Sequence, residues 1–339
     1  MSEIRRDPIT GRTVVYVPGR VARPNEHRVA PPGTSAGSDC PFCEGNESRT
    51  PPELAATAPP DRRANGRGWQ VRTIPNRFPT VTNERGEPSS SEEAGPFFPR
   101  AAFGFHEVVI ESPDHAPMLP HLPREQVARI LRMCRDRVRN LSGLEGVGSV
   151  TLFENAGPES GGTLWHPHCQ LVATAGLTPS LREEIEGAAQ YDRRGEVRCA
   201  FEEVVNEEIR DGSRRMFASP EFVAFAPFAS AYPYEMRLQP SRHSPSFAKA
   251  SDAELEWLAD RLPALLRALL AVTPNASYNF VVRSPAGTSD IGERYHWHLD
   301  VYPRVVRPDG FDLGSGLHVN PVLPEVASGE LRAALGTKL

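Results

Sequence analysis

The sequence predicts an α+β protein made of two similar halves, each an antiparallel sheet crossed by a helix. Three observations carry this reading. The order strand, helix, strand, glycine-containing loop, strand occurs twice in 339 residues, three histidine positions keep their spacing, and each series ends in a His-x-His strand. Glu107 to His115 and Glu235 to His243 are both eight residues, while His115 to His166 is 51 and His243 to His296 is 53. Agreement over so many features points to an internal duplication. The length suits two packed units, divided here as 1–176 and 177–339.

The elements follow from local pattern. Short strand-like pieces at Thr13 to Val17 and Gln70 to Ile74 lie between turn signals in a Pro-, Gly- and Arg-rich first hundred residues. Residues 83–96 offer almost nothing to bury and read as a loop. Residues 105–111 (FHEVVIE) read as a strand stopped by Ser-Pro-Asp. The helix at 123–141 carries Val127, Ile130, Leu131, Cys134, Val138 and Leu141 on one face. Strands at 149–154 and 165–173 flank the glycine-rich loop 155–163. In the second series, strand 234–239 precedes a helix starting near Ser251, whose pairing with Glu254 is a capping-box pattern. Leu255, Leu258, Leu262, Leu265, Leu266 and Leu269 form its apolar stripe, and Pro263 within it predicts a kink or break. Strands at 278–282 and 295–302 complete the series.

Composition narrows the classes. Hydrophobic residues are 39% and charged residues 24%, enough for a sizeable core. No apolar run reaches the roughly 18 residues of a membrane helix, and the N-terminal MSEIRRDPIT lacks the apolar core of a signal peptide. A net charge of −5 disfavours non-specific nucleic-acid binding. Five irregularly spaced cysteines fit a reduced, cytoplasmic setting.

Two motifs carry chemistry. Cys40-Pro-Phe-Cys43 places two thiols where one tetrahedral zinc ion takes both. A redox pair is the alternative, but redox C-x-x-C motifs open a helix and these flanks are loop-like. His115 is a candidate third ligand. In His166-Pro167-His168-Cys169-Gln170, strand alternation directs both imidazoles and the Gln170 amide to one face. A neutral imidazole can attack phosphorus and form a phospho-histidine, and an amide can hydrogen-bond a phosphoryl oxygen. The glycine-rich loop just upstream suits backbone N–H groups approaching a phosphate. An isolated His-x-His pair reads equally as metal ligands or half-buried strand residues. Its company here favours phosphoryl chemistry. Cys169 points away from the two histidines, as a packing residue, and Cys134 and Cys199 carry no assigned role.

On these motifs the chain resembles the galactose-1-phosphate uridylyltransferases of the histidine-triad superfamily. The resembling stretches are DPITGRTVVYVPGRVARP (7–24), CPFCEGNE (40–47), PNRFP (75–79), ESPDHAPMLP (111–120), FENAGPESGGTLWHPHCQ (153–170), PFASAYPYEMRLQP (227–240) and the HWH strand at 296–298. Gln170 stands where the histidine-triad hydrolases carry a third histidine, a difference that separates the family's transferases from the hydrolases.

The resemblance implies a duplicated histidine-triad-like fold, with the zinc site and nucleophile in the first half. It makes His168 the nucleophile and Gln170 the holder of a phosphoryl oxygen. It gives structural zinc to Cys40, Cys43, His115 and His166. Asn155, Gly161, Gly162 and Thr163 would line the nucleotide and phosphate pocket, with Arg20, Arg23, Asn76 and Arg77 nearby. The implied reaction is ping-pong: UDP-glucose gives UMP to the histidine, and galactose 1-phosphate takes it. A second, iron-type metal of some members matches Glu184, His296 and His298, but residues 275–295 supply no histidine for its remaining ligand. The resemblance also implies a homodimer acting on a nucleotide sugar and a sugar 1-phosphate. The segment YHWHLDVYPR looks more like a divergent branch containing ADP-glucose phosphorylases. An adenylyl-transferring relative is therefore the alternative enzyme, and a zinc-stabilised binding protein without turnover the alternative class.

Overall fold

In this computed structural model, residues 2–18, 40–84, 101–115, 118–191, 199–286 and 294–336 are described. An N-terminal hairpin, β1 (Glu3–Arg6) and β2 (Thr13–Tyr16), is closed by the Asp7 carboxylate, which accepts from the Ile9 and Thr10 backbone N–H groups at 3.0 and 2.8 Å. The strands β3 (Ala55–Thr57), β4 (Val71–Pro75), β5 (Gly104–Ile110), β6 (Ser149–Ala156) and β7 (His168–Thr174) follow. The later strands are β8 (Arg215–Ala218), β9 (Phe222–Phe225), β10 (Met236–Pro240), β11 (Tyr278–Pro285), β12 (Leu299–Pro303) and β13 (His318–Asn320).

Ten of these strands form one sheet in the order β3-β4-β5-β7-β6-β11-β12-β10-β9-β8, antiparallel throughout. The duplication is visible in that order. Outward from the central β6–β11 pair, β7, β5, β4 and β3 on one side match β12, β10, β9 and β8 on the other. The two five-stranded halves thus join edge to edge, with Ala156 opposite Tyr278 and Ser149 opposite Pro285. That pairing removes two exposed edges at once. The small second sheet, β1-β2-β13, ties the N-terminal hairpin to the C-terminal region through a parallel β2–β13 pair.

Helices α2 (Pro179–Tyr191) and α3 (Ala200–Asp211) lie between α1 (Arg124–Ser142) and α4 (Asp252–Val272) in the chain; α1 and α4 occupy equivalent places, each linking the third strand of its half to the central one. All six residues of the expected α1 face are buried, as are the six leucines of α4. They pack in one core with Leu152 and Leu171 from the sheet. Each such leucine contributes on the order of 1.5–3 kcal/mol by leaving water. Alternation then turns Phe153 and Gln170 to the other face, the one that carries the site. The Ser251–Glu254 capping box forms, with the Glu254 N–H donating to Ser251 Oγ at 3.2 Å.

Three expectations need correction. Of the kink or break expected at Pro263, the break is absent: helix α4 is continuous through this buried residue. Loss of one helix hydrogen bond is outweighed by the leucines packed on either side. Regular strand begins at His168, not at residue 165, because Pro167 has no N–H to give to a ladder. Likewise β12 begins at Leu299, since the Trp297 N–H donates at 3.0 Å to the Ser244 carbonyl, outside the sheet. Most of the loop expected at 83–96 lies outside the described residues.

Candidate active site

The Cys40–Cys43 turn is shaped by backbone bonds. The Cys43 N–H donates to the Cys40 carbonyl at 3.3 Å, and the Asn46 amide donates to the same oxygen at 2.7 Å. This aims both thiols at the segment after β5 and at the start of β7. Cys43 Sγ lies 3.4 Å from His115 Nδ1 and 3.6 Å from His166 Nδ1. One ligand atom from each of Cys40, Cys43, His115 and His166 falls within 4.8 Å of the others. His166 Nε2 donates to the Ser112 carbonyl at 2.7 Å, which fixes the tautomer and leaves Nδ1 as a free lone pair facing the thiols. Burial and the adjacent Cys40 push the Cys43 thiol up to about 11, so ionising both thiols calls for a cation between them. Burial also lowers the His166 pKa, to about 4, which keeps its ring neutral as a ligand must be. An S2N2 donor set of this kind suits zinc.

His168 follows at the first position of β7 and is buried. Its Nδ1 donates to the His166 carbonyl at 2.8 Å, so the neutral ring presents an unprotonated Nε2. Burial depresses its pKa. Phe42, between the two cysteines, sets its ring edgewise against His168 and His166, with centroids 5.3 and 6.0 Å apart. The two histidines therefore share a neighbourhood but face different partners: His166, which precedes the regular strand, turns its Nδ1 to the Cys43 thiol, while the His168 ring is tied through Nδ1 to the His166 carbonyl. Cys169 turns the other way and donates to the buried Glu111 at 3.0 Å.

Gln170 stands two residues on. Its Oε1 lies 3.0 Å from His106 Nε2 and 3.5 Å from Asn76 Nδ2. His106 was not singled out by sequence, although its place in FHEVVIE, four residues before Ile110, puts it on the same face as Gln170. The register settles this: Val108 pairs with Gln170, and His106 with Val172.

The glycine-rich loop closes the far side. Gly157 and Gly161 have φ of 88° and 87°, a region closed to most side chains. At Gly157 a Cβ would also meet Ser277 Oγ at 2.5 Å. Asn279 holds the loop from the second half, donating to Asn155 Oδ1 at 2.7 Å and to the Ser160 carbonyl at 2.9 Å. The loop bounds a cavity of about 230 Å³ that includes Asn155, Gly162, Thr163 and His166. A second cavity of about 350 Å³ shares Asn155 and extends across the sheet face past Asn279 and Tyr302 to Arg12, Arg304 and His318. Asn155, Asn279 and Tyr302 are successive cross-strand partners, so the two cavities follow one row of the sheet.

The comparisons with known proteins point the same way as this geometry. Residues 1–178, just over half of the chain, match the family described as galactose-1-phosphate uridyl transferase, N-terminal domain. The chain belongs to the galactose-1-phosphate uridyl transferase family. Along 95% of its length it is 30% identical to an ADP-glucose phosphorylase of Arabidopsis thaliana, covering 90% of that protein. It is also 28% identical to a galactose-1-phosphate uridylyltransferase of Thermotoga maritima, over 98% of both chains. Among solved structures it is similar to the Arabidopsis ADP-glucose phosphorylase with bound ADP-glucose (TM-score 0.81, 27% identity, 98% of each chain). It is similar too to a uridylyltransferase (TM-score 0.75, 27% identity, 99% of each chain). As a member of this family the chain is a nucleotidyltransferase.

Other family-implied positions divide. Asn76 reaches Gln170, with 3.5 Å between Nδ2 and Oε1. Arg77 is exposed and lies over Phe78, 5.8 Å from its ring centre. Arg20 and Arg23 lie outside the described residues.

The second-half set is split. Glu184 and His298 come together, with 3.5 Å between Oε1 and Nε2, but their third neighbour is Asp300, 3.4 Å from the same nitrogen. His296 turns away to Cys199 and His243. The rings at 296 and 298 separate just as those at 166 and 168 do, because the strand starts only after His298. Two guanidinium groups already balance the carboxylates: Arg237 holds Asp300 at 2.7 and 3.0 Å, and Arg283 reaches both Asp300 and Glu184 at 3.2 and 3.4 Å. Burial would raise the Glu184 pKa, but Arg283 and His298 overcome it and hold the group low. Sequence reasoning missed these arginines because nothing in local pattern links residues 184, 237, 283 and 300.

Proposed function

We propose that this protein moves a nucleoside monophosphate from a nucleotide sugar to a phosphate-bearing acceptor through a covalent nucleotidyl-His168. One observation carries the reading: a buried, neutral imidazole whose Nδ1–H is tied to the His166 carbonyl, leaving Nε2 as the attacking atom. In the first step Nε2 forms a bond to the α-phosphorus, and the bond from that phosphorus to the bridging oxygen breaks. The electron pair leaves on the sugar 1-phosphate. In the second step an acceptor phosphate oxygen attacks the same phosphorus and the P–N bond breaks, restoring neutral His168. Gln170 would donate to a non-bridging oxygen in both transition states. Asn155, Gly161, Gly162 and Thr163 would bound the phosphates, with Asn76, Arg77, Arg20 and Arg23 on the nucleotide side. The cavity reaching Arg304 suits the sugar phosphate, because it opens on the same sheet face and shares Asn155.

Zinc at Cys40, Cys43, His115 and His166 would supply the positive charge that lets both thiols ionise. It would clamp the 40–43 turn, the segment after β5 and the start of β7 together, fixing the backbone to which His168 is tied. The halves 1–176 and 177–339 and a cytoplasmic homodimer belong to the same reading.

For the base and acceptor, family membership and the Thermotoga relative support uridylyl transfer from UDP-glucose to galactose 1-phosphate. The likeness to the Arabidopsis enzyme supports a second reading, adenylyl transfer from ADP-glucose to phosphate. Isotope exchange separates them. Labelled glucose 1-phosphate should enter the nucleotide sugar without any second substrate, into UDP-glucose on the first reading and ADP-glucose on the second. No exchange into either would contradict the ping-pong scheme.

A further inference from the structure

We infer that His106 is a positioning residue that fixes which end of the Gln170 amide faces the site. The argument starts from a group whose direction is not in question. The Thr80 backbone N–H donates to His106 Nδ1 at 3.0 Å, and a backbone amide can only donate. Nδ1 therefore carries the lone pair, and the neutral ring must carry its proton on Nε2. Burial depresses the ring's pKa, with the Gln170 contact opposing this, which keeps the ring neutral. Nε2–H faces Gln170 at 3.0 Å and needs an acceptor, so the atom there is the carbonyl oxygen Oε1. The Gln170 NH2 is thereby turned away from His106. Among the described residues it has no acceptor of its own, and it lies on the sheet face that carries His168.

A second donor reinforces the same orientation. Asn76 Oδ1 accepts from the Phe78 N–H at 2.8 Å, so its Nδ2 is the atom facing Gln170 Oε1, at a long 3.5 Å. Asn76 Nδ2 also lies 3.1 Å from His106 Nε2. With both nitrogens carrying protons, neither accepts from the other, and both point to the shared oxygen. The backbone sets up this arrangement: the Asn76 N–H donates to the His106 carbonyl at 2.8 Å, so the 76–80 turn curls back over the His106 ring. A glutamine left to itself can present either end to a phosphoryl group. Only the NH2 end stabilises developing negative charge, so a flipped amide would repel it.

The inference rests on the nucleotidyl-transfer reading for what Gln170 does, but not for how it is oriented. Two measurements keep those apart. The first is ¹⁵N NMR of the imidazole in the intact protein. The proton should sit on His106 Nε2, with Nδ1 unprotonated; a proton on Nδ1 would overturn the inference whatever the enzyme does. The second compares the wild type, His106→Phe, His106→Gln and Gln170→Ala on the two α-phosphorothioate diastereomers of the nucleotide sugar. His106→Phe should slow transfer roughly 10- to 100-fold with little change in KM, the scale expected for a misplaced oxyanion donor. Its preference between diastereomers should fall to that of Gln170→Ala. His106→Gln, which keeps a donor, should recover part of both. An unchanged diastereomer preference in His106→Phe would overturn the inference. If the wild type transfers no nucleotide at all, the functional reading fails and the proton position alone decides this one.

Discussion

His168 donates its Nδ1 proton to the carbonyl oxygen of His166 at 2.8 Å, so the first histidine of the pair orients the second through its backbone. The same relation recurs in the other half, where His298 Nδ1 lies 3.0 Å from the His296 carbonyl. There the outcome differs, because His298 Nε2 points at Glu184 and Asp300. One backbone device, placed twice by the duplicated fold, yields a free nitrogen in one half and a buried ionic contact in the other.

Replacing His168 by Asn should leave the fold intact and abolish nucleotidyl transfer. Among the described residues the ring makes one backbone hydrogen bond and one edge contact with Phe42, so stability should change by about 1–2 kcal/mol. Circular dichroism together with the exchange assay checks both halves of this expectation.

Removing a thiol from the Cys40–Cys43–His115–His166 cluster should act on stability before it acts on chemistry. Cys43→Ser leaves three donors, and the metal content should fall from about one ion per chain towards none. A strong chelator should lower the unfolding temperature of the wild type and leave that of the variant nearly unchanged. Elemental analysis with thermal melts makes the comparison.

Asp300→Asn should be among the more damaging changes in the second half. Asp300 is fully buried and balances Arg237 and Arg283. Its loss leaves both cations short of charge, an effect of about 3–5 kcal/mol for a buried pair broken from one side. Denaturant unfolding measures it.

The buried Glu111–Glu154 pair should contribute stability that is lost as pH rises from about 4.5 to about 7, against the depressed histidines His106, His166 and His168, which act in the opposite direction. Glu111 and Glu154 lie buried together beside Cys169. Burial pushes Glu111 up to about 7 and Glu154 well above the ordinary range. At these two carboxyls the folded state keeps protons that the unfolded chain releases, so their contribution to stability falls with each pH increment in that window. Glu111→Gln should remove its share, so the stability of the wild type relative to the variant should decline between pH 5 and pH 8, read from unfolding free energies.

Much of this was legible in the sequence where pattern is local. The α1 and α4 faces, the Ser251 cap and the repeat of spacings around Glu107 and Glu235 all depend on residues a few positions apart. His115 was a candidate third ligand to Cys40 and Cys43 from the residues themselves, but His166 entered the set only through family resemblance, since these residues are far apart along the chain. What stayed hidden was pairwise orientation. His106 acquires its contact with Gln170 from the β5–β7 register, and Asp300 meets Glu184 only because the sheet brings β12 near the helix Pro179–Tyr191. Of the kink or break expected at Pro263, the break is absent for the converse reason, a local rule outweighed by tertiary packing.

The most direct test of the central claim is the intact mass of the protein after mixing with UDP-glucose or ADP-glucose in the absence of acceptor. The account predicts an added UMP or AMP on the wild type, removed by the acceptor and never formed by His168→Asn. Failure to form an adduct with either donor, or an adduct that persists in His168→Asn, would contradict it.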